Sequence, residues 1–359
     1  MTRTVHVVLP GGIDDPAAPS GGNRYDRQVC DGLRSTWDVH EIAVPGTWPR
    51  PSATVRDVLS GALAALPAGS TLLLDGLVAG GVPEILEPMA ARLRLVVLVH
   101  LALGDETGLD RSDAVALTGL ERRTLHAAAA VVATSAGAAR RLIELHDLPA
   151  DRVHVASPGV DPAAPAEPSP DGARLLCVAA VTPRKGQDVL VEALSRCADL
   201  AWTCVCVGAL DRVPSFAGRL QGGRVQFVGT RADAALDASY AEADLLVLPS
   251  RAETYGMVVT EALAHGVPVL GTAVDGVPEA LGAAPDGTLP GRLVRPGDHD
   301  ALAAALRDWL TDAELRQRWR AAARARRETL RGWDVTTRLV SDVLEAVAGG
   351  PDMPVGGSE

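Results

Sequence analysis

Short aliphatic and β-branched runs recur along the chain, each followed by a stretch with helical spacing of its apolar residues. "VHVVL", "TLLLDGL", "LRLVVLVH" and "AAVVATS" form one set; "ARLLCVAAV", "WTCVCVGAL", "RVQFVGT", "ADLLVLPS" and "VPVLGT" form a second. The runs are apolar almost without interruption rather than alternating, so both faces of each predicted strand must be covered. Strands of that kind separated by helices predict an α/β fold with parallel, doubly wound sheets. Between the sets lies "PGVDPAAPAEPSPDGA", Pro158 to Ala173, rich in Pro and Ala without periodicity and therefore read as a linker. The pattern divides the chain into a domain over 1–160, a second over 174–331, a last helix over 332–349 and a tail over 350–359. In the last helix Trp333, Val335, Leu339, Val343 and Val347 recur about every four residues and predict an apolar face. The tail has no core-forming residues and is expected to be mobile.

Composition narrows the classes. With 359 residues and 47% hydrophobic side chains, the chain can fill two cores. A net charge of -11 argues against nucleic-acid partners, whose phosphates need a basic face, and 3% aromatics leave few platforms for base stacking. The five cysteines include no C-x-x-C pair, which suits a reducing compartment. The first residues hold too short an apolar run for a signal peptide, and no run reaches the ~20 residues that span a bilayer. A soluble cytoplasmic protein without stable membrane association is the expectation.

Candidate chemistry lies where predicted strands end, since ligands of such sheets bind beyond the strands' carboxyl ends. "VTPRKGQDVL" holds Lys185, the one lysine among 34 Lys plus Arg. With Arg184 it stands at a predicted helix N-terminus, where the dipole disfavours cations and favours anions. A bound diphosphate would account for both, the Arg as a fork and the Lys as a point charge; a solvated loop accounts for them equally on this stretch alone. "RAETYGMVVTEALAHGVPVLGT" places Glu253 and Glu261 eight residues apart, about 12 Å if all eight steps are helical. That is the span from the hexose to the ribose of a nucleotide sugar. Thr254, Tyr255, Gly256 and Met257 between them offer backbone N–H groups at a helix start, with Gly256 permitting close approach. In "SGGNRYDRQVCDGL", Gly21 and Gly22 precede an amphipathic helix and their N–H groups are candidates for a phosphate; Asn23, Arg24 and Tyr25 are candidate acceptor-side residues. There is neither G-x-G-x-x-G nor G-x-x-x-x-G-K-[ST], which counts against NAD and P-loop readings. "GDHD", Asp298 and Asp300, imitates a metal-binding D-x-D but precedes a helical run, so Asp298 is read as an N-cap. The arginine-rich stretch Arg316 to Arg331 is read as a solvated helix face.

Residues 244–281, "DLLVLPSRAETYGMVVTEALAHGVPVLGTAVDGVPEAL", resemble the E-x7-E signature of the retaining family-four glycosyltransferases of GT-B fold. The resemblance extends over almost the whole chain. "SGGNRYDRQV" looks like that family's N-terminal glycine loop, and "VVLVH" ends at its N-domain histidine, His100. "SPGVDP" is similar to its inter-domain turn, and "VTPRKGQD" to its Arg-Lys diphosphate site. One departure stands out: the family usually has an acidic residue directly after the histidine, and here it is Leu101, with Asp105 and Glu106 following.

The resemblance implies two Rossmann-like domains facing across a cleft, the first binding acceptor and the second the nucleotide sugar, with the last helix crossing back to the N-terminal domain. It implies transfer of a sugar from a nucleoside-diphosphate sugar, UDP- or GDP-linked, to a small soluble acceptor, with retention and without a metal or other cofactor. Arg184 and Lys185 would then neutralise the leaving diphosphate, helped by the Gly21 and Gly22 amides. Glu253 would hold the sugar's hydroxyls, Glu261 the ribose, and His100 the transferred sugar, while Gly229 and Thr230 would lie near the base. Asn23, Tyr25 and Asp105 are the candidate acceptor residues. An epimerase or phosphorylase of the same fold, and a catalytically silent nucleotide-sugar binder, are the alternatives; Leu101 favours the last.

Overall fold

The predicted apolar runs become strands of two parallel sheets. The structure is a computed structural model and describes residues 3–15, 20–106, 108–220 and 223–349, so the tail expected to be mobile lies outside the described residues. The chain divides into two units: one ends at Pro158 and resumes at Trp333, and the other runs Gly159–Gly332. The first unit's sheet comprises β1 (Arg3–Pro10), β2 (Trp37–Val44), β3 (Thr71–Asp75), β4 (Arg94–Val99), β5 (Ala130–Ala133) and β6 (Val153–Val155), in the order β2-β1-β3-β4-β5-β6. The second unit's comprises β7 (Arg174–Val178), β8 (Thr203–Val207), β9 (Val225–Phe227), β10 (Leu245–Leu248), β11 (Val269–Thr272) and β12 (Gly291–Val294), ordered β12-β11-β10-β7-β8-β9. Every recorded strand pair is parallel.

Inner strands such as β3, β5 and β10 are buried at every position, as continuous apolar runs require. The strands that hydrophobic runs did not single out, β2, β6 and β12, are all at sheet edges. They are only partly buried, so their sequences need not be apolar throughout. All five cysteines are free and buried. Among the described residues no helix is long and apolar enough to cross a membrane.

Two readings are corrected together. The Pro- and Ala-rich stretch after Pro158 is not a free linker but part of the second unit. Its backbone N–H groups at Ala166 and Glu167 donate to His265 O and Ala241 O (2.8 and 3.3 Å). Ser169 donates from its N–H to the buried carboxylate of Asp244 (2.6 Å). The arginine-rich helix Ala313–Arg327 supplies much of the rest and is not merely a solvated face. Arg327 donates to Ala163 O (2.7 Å), Arg320 to Ser169 O (3.0 Å), and the buried Arg316 to Trp309 O (2.8 Å). A segment rich in proline offers carbonyls that no strand partner takes up, and the guanidinium fork is the side chain best shaped to reach them.

The last helix, Trp333–Ala348, belongs to the first unit. It packs on the helix Gly21–Leu33 and on β3, β4 and β5. Trp37 Nε1 donates to Ser341 Oγ and Thr336 Oγ1 to Ser157 O, both at 2.8 Å. Its buried residues are Trp333, Thr336, Val340, Ser341, Val343 and Leu344. The expected stripe was therefore offset: a repeat of four drifts about 40° per turn against the 3.6-residue period, so Val335, Leu339 and Val347 stand at the margin of the buried face. Trp333, Val340, Val343 and Leu344 at ~1.5–3 kcal/mol each sum to an amount comparable with a whole domain's stability of ~5–15 kcal/mol. Truncation after Arg331 should therefore abolish cooperative unfolding of the first unit, whereas removal of 350–359 should leave the melting temperature unchanged. Calorimetry of the two truncations checks this; a first unit that still melts cooperatively without the helix would refute it.

Candidate active site

In the second sheet the chain after β7 leaves toward β8, and the chain after β10 leaves in the opposite direction toward β11, although β7 and β10 are neighbours. Such a switch point leaves an open crevice at the strands' carboxyl ends. The two loops that border it carry the candidate anion site. After β7 come Thr182, a 3-10 turn over Pro183–Lys185, and Gly186 at φ 71°, from which the helix Gln187–Ser195 starts. After β10 come Ser250 to Tyr255 and Gly256 at φ 90°, from which the helix Met257–Ala264 starts. Neither helix has a side-chain cap, so first-turn N–H groups point outward as anion ligands would need.

The loops hold each other closely. Arg251 N–H donates to Arg184 O (2.7 Å), and Arg184 Nη1 to Ala252 O (3.2 Å). Arg251 forks onto both oxygens of Asp188 at 2.8 Å. A Cβ at Gly186 would stand 2.1 Å from Pro249 O, so the left-handed conformation and the approach of the two loops both require glycine there. Lys185 Nζ and Glu253 Oε2 form an ion pair, with the side chains 17% and 10% exposed. The Glu253 backbone is fixed from the next loop: its N–H donates to Asp275 Oδ2 (2.9 Å) and its carbonyl accepts from Gly276 N–H (3.2 Å). Among the described residues the buried Arg184 Nε has no hydrogen-bond partner, leaving a cationic donor for a ligand.

The sequence-derived residues thus separate into those brought together and those placed elsewhere. Arg184, Lys185 and Glu253 converge at the switch point. Thr254, Tyr255 and Met257 continue the same loop into its helix, with Tyr255 buried and its phenol pushed up to about 12 by burial and then by the Glu279 charge. Glu261 lies within that helix, its Oε2 accepting from the buried Tyr240 hydroxyl at 2.7 Å. The eight steps from Glu253 are not all helical, because the helix begins only at Met257. Gly229 and Thr230 follow β9, two strands from β7, Gly229 O accepting from Gly208 N–H (2.9 Å). Asp298 caps its helix by accepting from Ala301 N–H (2.8 Å), and Asp300 pairs with Arg196. Asp188, Arg251, Asp275 and Tyr240 were missed. They act by fixing other residues: Asp188, Arg251 and Asp275 stand in or next to the quoted motifs, while Tyr240 had no local signal.

The first unit assembles a second cluster. The helix Gly21–Leu33 is capped by Ser20 Oγ, which accepts from Asn23 N–H (3.0 Å). A Cβ on Gly22 would lie 3.2 Å from His100 Cδ2, so glycine there lets the helix rest on the imidazole that follows β4. Tyr25 is not an acceptor contact: it is 1% exposed, its hydroxyl donates to Ala156 O (2.8 Å), and its ring meets His100 and Trp333 edge-on. A large ring one turn into an amphipathic helix went to the core. Asp105 is likewise committed, both carboxylate oxygens accepting from Arg141 (2.9 and 3.2 Å). The loop after His100 is pinned by buried Glu121, whose oxygens accept from Leu103 N–H at 3.2 Å.

A family model described as "Glycosyl transferases group 1" matches residues 163–326, and one described as "Glycosyltransferase Family 4" matches 78–164. A D-inositol 3-phosphate glycosyltransferase of Jonesia denitrificans is 30% identical over 255 residues, covering 63% of this chain and 58% of that protein. One of Thermomonospora curvata is 33% identical over 256 residues, covering 62% and 57%. The matched stretches therefore span under two thirds of these relatives' own length. Among solved structures, Anabaena Alr3699/HepE in complex with UDP and glucose superposes with a TM-score of 0.74 at 18% identity, covering 95% of this chain and 99% of that one. Sucrose-phosphate synthase from Thermosynechococcus elongatus gives 0.74 at 20%, covering 97% and 100%. Adjoining family models on both units and the doubly wound parallel sheets of GT-B neighbours agree with the E-x7-E motif: the chain belongs to the family-four glycosyltransferases.

Proposed function

We propose that the protein transfers a sugar from a nucleoside-diphosphate sugar to a small-molecule acceptor, with retention at the anomeric carbon and without a metal. The observation that carries this reading is the convergence of Arg184, Lys185 and Glu253 at the β7–β10 switch point. Two cations and two uncapped helix starts suit a diphosphate, while a carboxylate beside them suits sugar hydroxyls. Arg184 and Lys185 would stabilise the charge that builds on the leaving diphosphate, where preorganised electrostatics contributes most. For Glu253 to accept from the sugar, Lys185 must exchange it for a phosphate oxygen. Glu261, oriented by Tyr240, is the candidate for the ribose diol. His100 is assigned to the transferred sugar. Retention rests on the E-x7-E resemblance. UDP is the first base to test, because a structural neighbour binds it. An inositol phosphate is the first acceptor, because the relatives' names specify it. A cytoplasmic location suits five free buried cysteines.

A thermal-shift panel of UDP, GDP, ADP and TDP and their sugars, followed by product analysis with the stabilising donor, tests the reading. A donor at a hundred times its dissociation constant should stabilise by about 2.7 kcal/mol. No shift with any nucleotide would refute it. Lys185→Arg replaces a point charge by a planar fork at a site that already holds one, and should lower kcat/KM by roughly 10- to 100-fold, the loss of a charged hydrogen bond. Wild-type turnover in that variant would remove Lys185 from the leaving-group role. Activity should survive EDTA; a dependence restored by titrating Mn2+ or Mg2+ would show that the diphosphate is neutralised by a metal instead.

A further inference from the structure

Two buried carboxylates converge on His100 from different elements of the first unit. Asp26 comes from the helix Gly21–Leu33, one turn beyond Gly22 and on the same face, and its Oδ1 lies 2.7 Å from His100 Nε2. Asp75 ends β3, and its Oδ2 lies 3.8 Å from the same nitrogen. One polar atom from each of the three groups lies within 4.8 Å of the other two. The side chains of Asp26 and Asp75 are 2% and 5% exposed, whereas His100 keeps 20% open to solvent. Asp75 also works locally, its Oδ1 accepting from Leu77 and Val78 N–H (2.7 and 3.2 Å). Tyr25 closes one side of the ring with its hydroxyl already committed.

We infer that Asp26 is a positioning residue that holds His100 as an imidazolium, its Nε2 edge turned into the protein and its Nδ1 left to donate to a ligand oxygen. Asp75 carries the proton that lets the two carboxyls share this pocket. The inference rests on the reading that His100 faces the transferred sugar. It also gives a physical reason why Leu101 is tolerated after the histidine: the acidic partners come from a helix and a strand end instead of the next residue. Three ionised groups would leave a net negative charge buried, and an unprotonated ring would leave Asp26 without a cation. One carboxylate, one carboxylic acid and one imidazolium are electrically balanced. The directions agree. Burial and then the Asp26 charge push the Asp75 carboxyl up. Burial opposes charge on His100, but the charge and hydrogen bond of Asp26 raise it overall. A raised imidazole keeps its charge through neutral pH and loses it only as pH climbs past its own pKa. Among the described residues the charged groups recorded against the ring are these two carboxyls.

Side-chain 1H–15N correlation spectra of the full chain test this directly, with the His100 signal assigned by its loss in His100→Gln. Wild-type His100 should remain imidazolium at pH 7. Asp26→Asn should make it neutral there, because burial then prevails. Asp75→Asn, which mimics the neutral acid, should keep the imidazolium pattern. In a transfer assay Asp26→Asn should lower kcat by roughly 10- to 100-fold with little change in donor KM, and its high-pH limb should begin at lower pH than in wild type. An Asp26→Asn protein whose His100 stays charged at pH 7, or whose turnover and pH profile match wild type, would overturn the inference. So would a Zn2+-induced shift of His100 in EDTA-treated wild type that Asp26→Asn abolishes, since the cluster would then be a cation site. If Asp26→Asn does not fold, the wild-type titration decides: a ring titrating at or below ~6.5 overturns it. A wild type that transfers no sugar but keeps a charged His100 would count against the functional reading and not against Asp26 as the group that holds the charge.

Discussion

The crevice between β7 and β10 is the constraint on which the second unit's chemistry depends. Two neighbouring parallel strands send their following chains in opposite directions, so no crossover covers their carboxyl ends there. Both following loops must then pass close to each other. Gly186 against Pro249 O, and Arg251 N–H on Arg184 O, are the consequences in the backbone. The same approach brings Lys185 to Glu253, residues 68 apart in the chain. Two facing loops stay rigid only if each is held by the other, and the Arg251–Asp188 fork adds a charged tie at the rim of the candidate anion site.

Arginine and lysine have separate work in this chain. The arginines of the helix Ala313–Arg327 reach carbonyls of a proline-rich segment and the buried carboxylate of Asp244, which also accepts from Ser169 and Arg174. These are forked, directional contacts that a single ammonium would serve poorly. Lys185 sits instead in a confined site, paired with the single carboxylate of Glu253. Wherever else the chain carries a long cationic side chain it is arginine, and several of these arginines serve as structural ties.

The first unit is built the other way around, from a helix laid onto a side chain. Gly22 removes the atom that would keep the helix off His100, Tyr25 fills the space behind the ring, and Asp26 engages its nitrogen. These three residues stand at i, i+3 and i+4 of the helix, so one helical face carries packing and charge to the same imidazole. The last helix supports this from behind through Trp333, which meets Tyr25 edge-on.

From the sequence alone the α/β class, the inner strands and the candidates for an anion site were legible, because parallel strands buried on both faces leave unbroken apolar runs and their carboxyl ends mark where motifs matter. Three of the four edge strands, β2, β6 and β12, were not legible, since half-exposed residues carry no such run. Lys185 and Glu253 could be named as candidates from their motifs, but their pairing is a product of strand order. Asp26 and Asp75 lie in the quoted stretches "SGGNRYDRQV" and "TLLLDGL", but nothing there singles them out: each is an ordinary acidic residue until folding buries it beside His100. Tyr25 and the arginine helix were misread for the same reason, since a side chain's spacing along the chain does not reveal which carbonyl or ring will be near it. Local pattern reports what each segment prefers; only the tertiary structure decides which buried polar groups must satisfy one another.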